Sequence, residues 1–414
     1  MTVIDEAVRR ILNKKFEMQL FDDPFRFCNE EREKQQWNNE DHLATEKEIA
    51  KKSIVLLKNN KPLPVSKYSP KDNATRNIAM IGPFVKSKSD NLGFWSYDWP
   101  DDSTRIVSLW EGVQKKIDGA SALLYAKGCG VIDTSRSGFS EAIDIARRSD
   151  FVIMAVGEAR DMSGEAKSRS NIHLPGVQEE LVKAIEATGK SVILLISAGR
   201  PLIFNDIADK ASAVLYTWWL GTKAGDAIAD VLFGDYNPSG KLPISFPGTE
   251  GQIPIYYNHY NTGRPATSDS DRFYRSAYTD LSIYPKYEFG YGLSYTTFQY
   301  SGLVLSKKKI KGNEKIEVTM KISNNGKYTG EEVVQLYIRD RVGAVVRPVK
   351  ELKDFQKIKL QPGESKTLNF AIDKEKLSFF NDKLQWIAEP GEFDLMIGSS
   401  SEDIRLKDSF ELIK

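Results

Sequence analysis

Apolar residues follow different periodicities in the two parts of the chain. Between residues 43 and 247, short apolar runs alternate with helical patterns. The helical patterns include residues 140–149, residues 175–188 with Pro175 in the first helical position, and residues 222–233, which end at Gly234. Six strands separated by helices predict an α/β domain. The strand-like runs lie at residues 54–57, 78–81, 123–125, 151–156, 192–196 and 213–218.

The run at residues 151–156 is apolar without interruption and rich in residues that favour strands. Such a run is typical of a central strand in a parallel sheet that is covered on both faces. Binding crevices in these sheets lie at the carboxyl ends of the strands. Glu165 follows this strand on a loop, so the sequence places a carboxylate where an acid catalyst belongs.

Beyond residue 293, apolar and polar residues alternate with a period of two. Turn signals interrupt the alternation at residues 324–326, 362–363 and 390–391. About seven short strands of this kind predict a β-sandwich of the immunoglobulin or fibronectin type. We expect Trp386 and Phe393 to be large buried side chains of its core. We also expect this region to be mainly structural, because it contains no clustered aromatic residues or acidic pairs that would indicate a ligand site.

Composition excludes several functional classes. The 414 residues contain 58 Lys and Arg against 57 Asp and Glu, a net charge of +1, so we expect no nucleic acid or anionic membrane as a partner. Cys28 and Cys129 have no Cys-x-x-Cys spacing, and His42, His173 and His259 have no metal-ligand spacing. We therefore expect no metal, no cofactor and no disulfide framework.

The first residues differ from the rest in character. Residues 4–12 form an amphipathic helical pattern with Ile4, Val8, Ile11 and Leu12 on one face, and an aromatic, acidic segment follows. The pattern predicts packing against a further segment upstream. The charged start of the chain lacks the apolar core of a signal peptide, and no stretch approaches the length of a membrane span.

Several motifs, in order along nearly the whole chain, carry a family resemblance. The chain resembles the C-terminal two domains of family-three glycoside hydrolases, most closely the bacterial periplasmic β-glucosidase branch. The resemblance implies a six-stranded α/β sandwich followed by a fibronectin type III-like β-sandwich. The matching segments are residues 53–59, 81–83, 92–96, the Glu165 segment at 157–169, 227–243, 261–265 (NTGRP), 289–295 (FGYGLSY) and 347–352 (RPVKEL).

The resemblance also predicts the division of the chain. We expect residues 1–42 to be the end of a TIM-like barrel and a linker, residues 43–247 the α/β sandwich, residues 248–293 a connector, and residues 294–414 the fibronectin-like domain. Family members begin with a barrel that carries the nucleophilic aspartate, and this chain begins about where the barrel ends. Full-length relatives are exported to the periplasm or medium, so the compartment of this chain stays open.

By the same resemblance, Glu165 matches the acid/base position of a retaining β-glucosidase, which acts on β-glucosides or β-linked oligosaccharides. Retaining hydrolysis also needs a nucleophilic carboxylate, so we expect the chain to be inactive unless a barrel domain supplies it. The alternatives are a truncated, non-catalytic carbohydrate-associated module and a part of a β-xylosidase. Asp161 and Glu158 are weaker candidates for the acid, and Glu158 is expected to cap the end of the strand.

Three further residues are candidates for substrate binding. Trp95, which follows Phe94 on the loop after residues 78–82, is a candidate stacking platform, because the C–H faces of sugars pack on aromatic rings. The alternative is a tryptophan packed under its own loop. Arg169 is a candidate to hold Glu165 or to bind a sugar hydroxyl, with a surface ion pair as the alternative.

Overall fold

The computed structural model describes residues 1–37, 39–66, 76–96, 105–117, 119 and 121–414. These residues divide into two compact units, Met1–Glu46 and Lys47–Lys414. Among the residues described, no helix combines the length and the apolar composition that a membrane crossing requires.

The first unit is helical. It contains α1 (Thr2–Glu17), α2 (Glu30–Gln36) and the start of α3 (Glu40–Ser53). α1 includes the amphipathic segment predicted at residues 4–12, and the apolar side chains of that face are exposed. Exposure of such a stripe to water is unfavourable, in proportion to its apolar area.

The second unit begins with alternating strands and helices. Its six strands form one sheet in the order β1-β6-β5-β4-β2-β3, in which β1 is antiparallel to β6 and the other neighbours are parallel. The predicted α/β fold is confirmed. The elements are β1 (Val55–Asn59), β2 (Asn77–Ile81), a 3-10 turn (Ser89–Leu92), α4 (Leu109–Ile117), β3 (Ala122–Ala126), α5 (Phe139–Arg147), β4 (Phe151–Gly157), a 3-10 turn (Arg160–Met162), α6 (Gln178–Glu186), β5 (Ser191–Ser197), α7 (Asn205–Lys210), β6 (Ala213–Tyr216) and α8 (Ala224–Phe233).

β4 lies in the interior of this sheet, and all seven of its residues are buried. Successive side chains of a strand point to opposite faces. Val152 and Met154 accordingly pack in the core that contains α5 and α6, whereas Ile153 and Ala155 pack in the core that contains α4 and α8. Two covered faces explain why the sequence of this strand is apolar without alternation.

The sequence pattern predicted the start of α6 wrongly and the end of α8 correctly. α6 begins at Gln178 and not at Pro175, because Gly176 has a φ of +62°, a left-handed conformation that an α-helix does not contain. α8 ends as predicted: Gly234 has a φ of +83° and closes the helix in the left-handed region.

The last part of the chain is a β-sandwich with one five-stranded sheet, β11-β10-β15-β16-β8, and one three-stranded sheet, β12-β9-β7. The predicted fibronectin-like architecture is confirmed. A 3-10 turn (Glu250–Gln252) precedes these elements. They are β7 (Phe298–Leu305), β8 (Lys309–Lys311), β9 (Ile316–Asn324), β10 (Gly330–Asp340), β11 (Glu351–Leu360), β12 (Ser365–Ile372), α9 (Lys374–Leu377), β13 (Phe379–Phe380), β14 (Trp386–Ile387), β15 (Gly391–Gly398) and β16 (Ile404–Ile413).

The core of the sandwich contains the alternating apolar residues of β9, β10 and β15. Phe393 is buried there, as predicted, and stacks on Phe410 with 5.2 Å between the ring centroids. The prediction that Trp386 is buried is wrong, because this side chain is 48% exposed. Trp386 lies in the separate two-stranded pair β13–β14, outside both sheets of the sandwich, and its indole N–H donates to Glu375 at 2.9 Å.

Candidate functional site

A buried carboxylate organises the loop that follows β4. Glu158 comes directly after the strand and is fully buried, and its backbone N–H donates to the carbonyl of Ser197 at 2.9 Å. Two guanidinium groups, those of Arg169 and Arg200, bind its carboxylate, and Arg200 Nε lies 3.2 Å from Oε2. Removing a carboxylate from water is costly unless cations and hydrogen bonds replace the water, and here both are present.

The same two arginines also fix the backbone of the loop. Arg200 donates to the carbonyls of Met162 and Lys167, at 2.5 and 2.6 Å. Arg169 donates to the carbonyl of His173 at 3.3 Å. The loop is therefore held on both sides of Glu165 by groups that are themselves bound to Glu158.

Glu165 occupies the tip of a tight turn. The N–H of Lys167 donates to the carbonyl of Gly164 at 3.3 Å, which makes Glu165 the second residue of a four-residue turn. Ala166, the third residue, has a φ of +55°, as the third position of a type II turn requires. Glu165 is exposed, and its carboxylate makes no hydrogen bond or ion pair within the described part of the chain, so both oxygens remain available to a ligand.

Aromatic side chains lie beside this turn. Gly164 has a φ of +155°, and a Cβ atom there would be 2.3 Å from the ring of Phe94, so the backbone of the turn rests directly on that ring. Trp95 packs edge-on against Phe94, with 5.1 Å between the ring centroids. The Trp95 side chain is 75% exposed, which argues against the alternative that it packs under its own loop.

Hydrogen bonds connect this aromatic segment to the neighbouring loops. Asp90 accepts from the backbone N–H of Arg160 at 3.0 Å and from the Ser87 hydroxyl at 2.5 Å. The carbonyl of Asn91 accepts from the N–H of Gly221, in the loop after β6, at 2.7 Å. The loops after β2, β4 and β6 thus meet at the carboxyl edge of the sheet, where crevices in α/β sheets form.

The structure brings three of the four predicted site residues together. Phe94 lies against the turn that carries Glu165 and Trp95 packs on Phe94, whereas the guanidinium of Arg169 is engaged with Glu158. The ion-pair alternative for Arg169 is thus observed, but with a buried partner and only 20% exposure of its side chain. A role for Arg169 in binding substrate stays a prediction.

Sequence reasoning missed the central role of Glu158 and of Arg200. Glu158 was expected to cap the strand, and Arg200 was not considered. The available signal was position: Glu158 immediately follows a fully apolar strand, where a charged side chain is buried unless the chain turns it outwards, and a buried charge requires partners. Full burial also separates Glu158 from any substrate, whereas Asp161, the other weaker candidate, is exposed.

Other chemical groups in the chain are engaged elsewhere. Within the described ranges, no group of three or more His, Cys, Asp or Glu side chains is arranged to hold a metal ion. The ring of His173 lies 3.2 Å from Glu179 and 3.7 Å from Glu250. Burial raises the pKa of the Cys129 thiol to about 11, so this cysteine is a poor nucleophile.

Comparison with known proteins identifies the family. Residues 54–295 match the glycosyl hydrolase family 3 C-terminal domain, and residues 332–401 match the fibronectin type III-like domain. The chain therefore belongs to glycoside hydrolase family 3, which confirms the resemblance found in the sequence.

Similar proteins are glycosidases by name. The periplasmic beta-glucosidase of Salmonella typhimurium is 40% identical, over 100% of this chain and 56% of its own length. A beta-xylosidase of Formosa agariphila is 39% identical, over 98% and 55%. The crystal structure of a mutant beta-glucosidase from Listeria innocua in complex with laminaribiose has a TM-score of 0.90 and 35% identity, over 100% and 55%. The chain thus spans about 55% of the length of these relatives.

Proposed function

We propose that this chain supplies the acid/base catalyst of a retaining β-glucosidase, and that Glu165 is that catalyst. The observation that carries the proposal is the combination of an exposed carboxylate without a partner in the described residues and a turn held on both sides by Arg200. A general acid must be accessible to substrate and held in position. The names of the relatives favour β-glucosides, or short β-linked oligosaccharides, as substrates.

The reaction assigns two successive tasks to Glu165. Retaining hydrolysis uses two carboxyl groups about 5–5.5 Å apart. In the first step, protonated Glu165 gives its proton to the glycosidic oxygen while the other carboxylate attacks the anomeric carbon. In the second step, ionised Glu165 takes a proton from the water that attacks the same carbon and releases the nucleophile. We propose that the nucleophile lies in a barrel domain outside these 414 residues.

Phe94 and Trp95 complete the proposed site. The Phe94 ring lies beside the turn of Glu165, and Trp95 packs on Phe94 and is largely exposed, so a sugar ring in the leaving-group position has an aromatic face to pack on. Arg169 and Arg200 serve by holding the loop through Glu158. The proposal includes the division into the end of a barrel and a linker at 1–42, an α/β domain at 43–247, a connector at 248–293 and a fibronectin-like domain at 294–414.

A second candidate sugar is xylose. Two of the relatives, both from Formosa agariphila, are named a beta-xylosidase and a putative beta-xylosidase, at 39% and 37% identity. The two assignments differ only in the sugar that is released. Comparison of nitrophenyl β-glucoside with nitrophenyl β-xyloside as substrates distinguishes them.

The test adds the barrel domain of a related enzyme to this chain. We expect the chain alone to hydrolyse aryl β-glucosides no faster than buffer, and the combined protein to be active. In the combined protein, Glu165→Ala should lower the rate on cellobiose by about 10²–10⁴-fold, the usual contribution of general acid–base catalysis. The loss should be smaller for nitrophenyl glucosides, whose leaving group needs little protonation, and azide should partly restore the second step.

The matched control is Asp161→Asn, which removes an exposed carboxylate from the same loop and should leave the rate unchanged. If Glu165→Ala keeps its full rate on cellobiose while Asp161→Asn loses it, Asp161 is the acid. Activity of the chain alone that disappears in Glu165→Gln would show instead that a second carboxylate of this chain is the nucleophile.

A further inference from the structure

A groove of about 800 Å³ lies far along the chain from Glu165, where the connector meets the five-stranded sheet of the β-sandwich. Its floor includes Arg339 on β10, Asp394 and Met396 on β15, and Lys407 on β16. Arg339 pairs in register with Asp394, and Met396 with Lys407. Their neighbours along the strands face the core, so these side chains lie on the outer face of the sheet.

The connector provides an aromatic wall. Tyr256, Tyr260 and Tyr284 line the groove and are 62%, 61% and 42% exposed. Tyr257 also lines the groove, and its ring stacks on Phe289 with 4.2 Å between the centroids. A concave surface of this size, with aromatic walls and a few polar groups, is typical of small-molecule sites.

The groove is lined by three carboxylates and three cationic side chains. Each of the three carboxylates that line it already has a cationic partner: Asp394 is bound by Arg341, Glu402 by Lys350, and Asp408 by Lys308.

Two of the lining cations, in contrast, have no such partner. Arg339 and Lys407 make no hydrogen bond or ion pair with any residue that the structure describes. Arg339 and Lys407 are thus lining cations that no carboxylate binds, and they share the groove with three exposed tyrosine rings. This combination favours a ligand with a negative charge and flat apolar faces, and arginine is well suited to bind a carboxylate through two hydrogen bonds.

One polar atom at the groove also lacks a partner. Ser401 lines the groove and is fully buried, and its hydroxyl oxygen makes no hydrogen bond within the described residues. Its backbone is fixed, because its N–H donates to Phe289 at 2.9 Å and its carbonyl accepts from Lys350 at 2.5 Å. A buried polar group without a partner is unusual, and this one lies at the wall of the groove, closed to solvent.

We propose that this groove binds an acidic oligosaccharide, with a sugar carboxylate on Arg339 and Lys407 and sugar faces on the exposed tyrosines. The exposed tyrosines come from the connector, so the 294–414 segment alone does not form this site. The site is separate from the catalytic turn and does not depend on turnover.

The test measures binding to the full chain by isothermal titration calorimetry at low salt. The probes are a β-1,4-linked disaccharide of glucuronic acid and glucose, and cellobiose as its neutral counterpart. We expect the acidic disaccharide to bind at least about tenfold more tightly, the usual worth of a hydrogen bond to a charged group. Its affinity should fall as salt is raised, because salt screens exposed charges, while that of cellobiose should not.

Variants locate the site. Arg339→Gln should remove the preference for the acidic sugar, and Lys407→Gln, on an exposed position, should weaken it several-fold. Tyr260→Ala should weaken both disaccharides about 2- to 10-fold, from the loss of ring contacts. The matched controls are Arg147→Gln and Tyr274→Ala, which remove exposed side chains outside the groove and should change neither affinity. Glu165→Gln should also have no effect, which separates this test from that of the catalytic proposal.

Three results would overturn the proposal. The first is no binding of the acidic disaccharide at millimolar concentration, and the second is equal affinity for both disaccharides with no effect of Arg339→Gln or Lys407→Gln. The third is tighter binding of a short acidic peptide, which would make the groove a protein-binding surface.

Discussion

The buried carboxylate of Glu158 offers the sharpest test of how the turn that carries Glu165 is held. Glu158→Gln keeps the shape of the side chain and one hydrogen-bond acceptor but removes the negative charge. Two guanidinium groups, which are 20% and 18% exposed, then remain inside the protein without a counter-charge. The loop that follows β4 then loses the carboxylate that binds both Arg169 and Arg200.

The expected loss of stability is about 3 kcal/mol. Breaking a buried ion pair by removing one partner costs about 3–5 kcal/mol. The lower end applies because glutamine retains an acceptor and because both arginines are partly reached by water. Arg169→Gln in the same protein removes one of the two uncompensated cations, so the double variant should be at least about 1 kcal/mol more stable than Glu158→Gln alone.

Urea unfolding measures the global effect, and limited proteolysis of the 158–173 loop measures the local one. Glu158→Gln should lower the unfolding free energy and expose this loop to cleavage. The control is Glu165→Gln, the same chemical change at an exposed position of the same loop, which should stay within about 0.5 kcal/mol of the parent protein. Equal stability and equal cleavage of the two variants would show that the ion cluster does not hold the loop.

Three further changes have definite expected outcomes. Gly164→Ala places a Cβ atom 2.3 Å from the Phe94 ring at a φ of +155°, so it should cost about 1–3 kcal/mol and displace the turn, as measured by urea unfolding and by the rate of the barrel-complemented protein. Both carboxylate oxygens of Glu186 are buried without a hydrogen-bond partner in the described residues, and burial raises its pKa to about 7. A raised pKa makes the native protein lose stability as pH rises from 4.5 to 7, because the native state then has to give up a proton that it binds more tightly than the unfolded state. In urea unfolding, the unfolding free energy of Glu186→Gln should therefore exceed that of the parent by up to about 3 kcal/mol at pH 8 and by almost nothing at pH 4. Phe393→Ala should cost about 3–5 kcal/mol and Trp386→Ala no more than about 1 kcal/mol in the same assay, and a larger loss for Trp386→Ala would contradict its observed exposure.

Local pattern was sufficient for most of the fold. The strand at 151–156 was predicted because a strand between two cores is apolar at every position, and Val152 and Ile153 indeed lie in different cores. Gly234 was recognised as a helix end because only glycine adopts its left-handed conformation without strain. The prediction of Trp386 as a core residue failed. Alternation indicates that neighbouring side chains of a strand take opposite faces, but it does not indicate whether that strand belongs to the sandwich. Trp386 lies in the pair β13–β14, which is outside both sheets.

In the candidate site, too, some features could be predicted from the sequence and others could not. Glu165 was found from its position after a buried strand together with the family resemblance, and the aromatic pair was found from the preceding loop. The partner of Arg169 was not found, because the bond to Glu158 depends on how the loop folds back, and the second bond comes from Arg200, 42 residues away from Glu158 in the sequence.

The amino-acid sequence by itself determined the two architectures, the family and the segment that carries the acid/base candidate, because periodicity, turn residues and motifs are properties of neighbouring positions. Only the tertiary structure decided which charges are buried together and which tyrosines face which cations. Burial and charge pairing depend on distances between residues far apart in the chain, as at Glu158 with Arg200, and so does the grouping of Tyr260 and Arg339 in one groove. These distances are set only when the chain has folded and its loops lie next to one another.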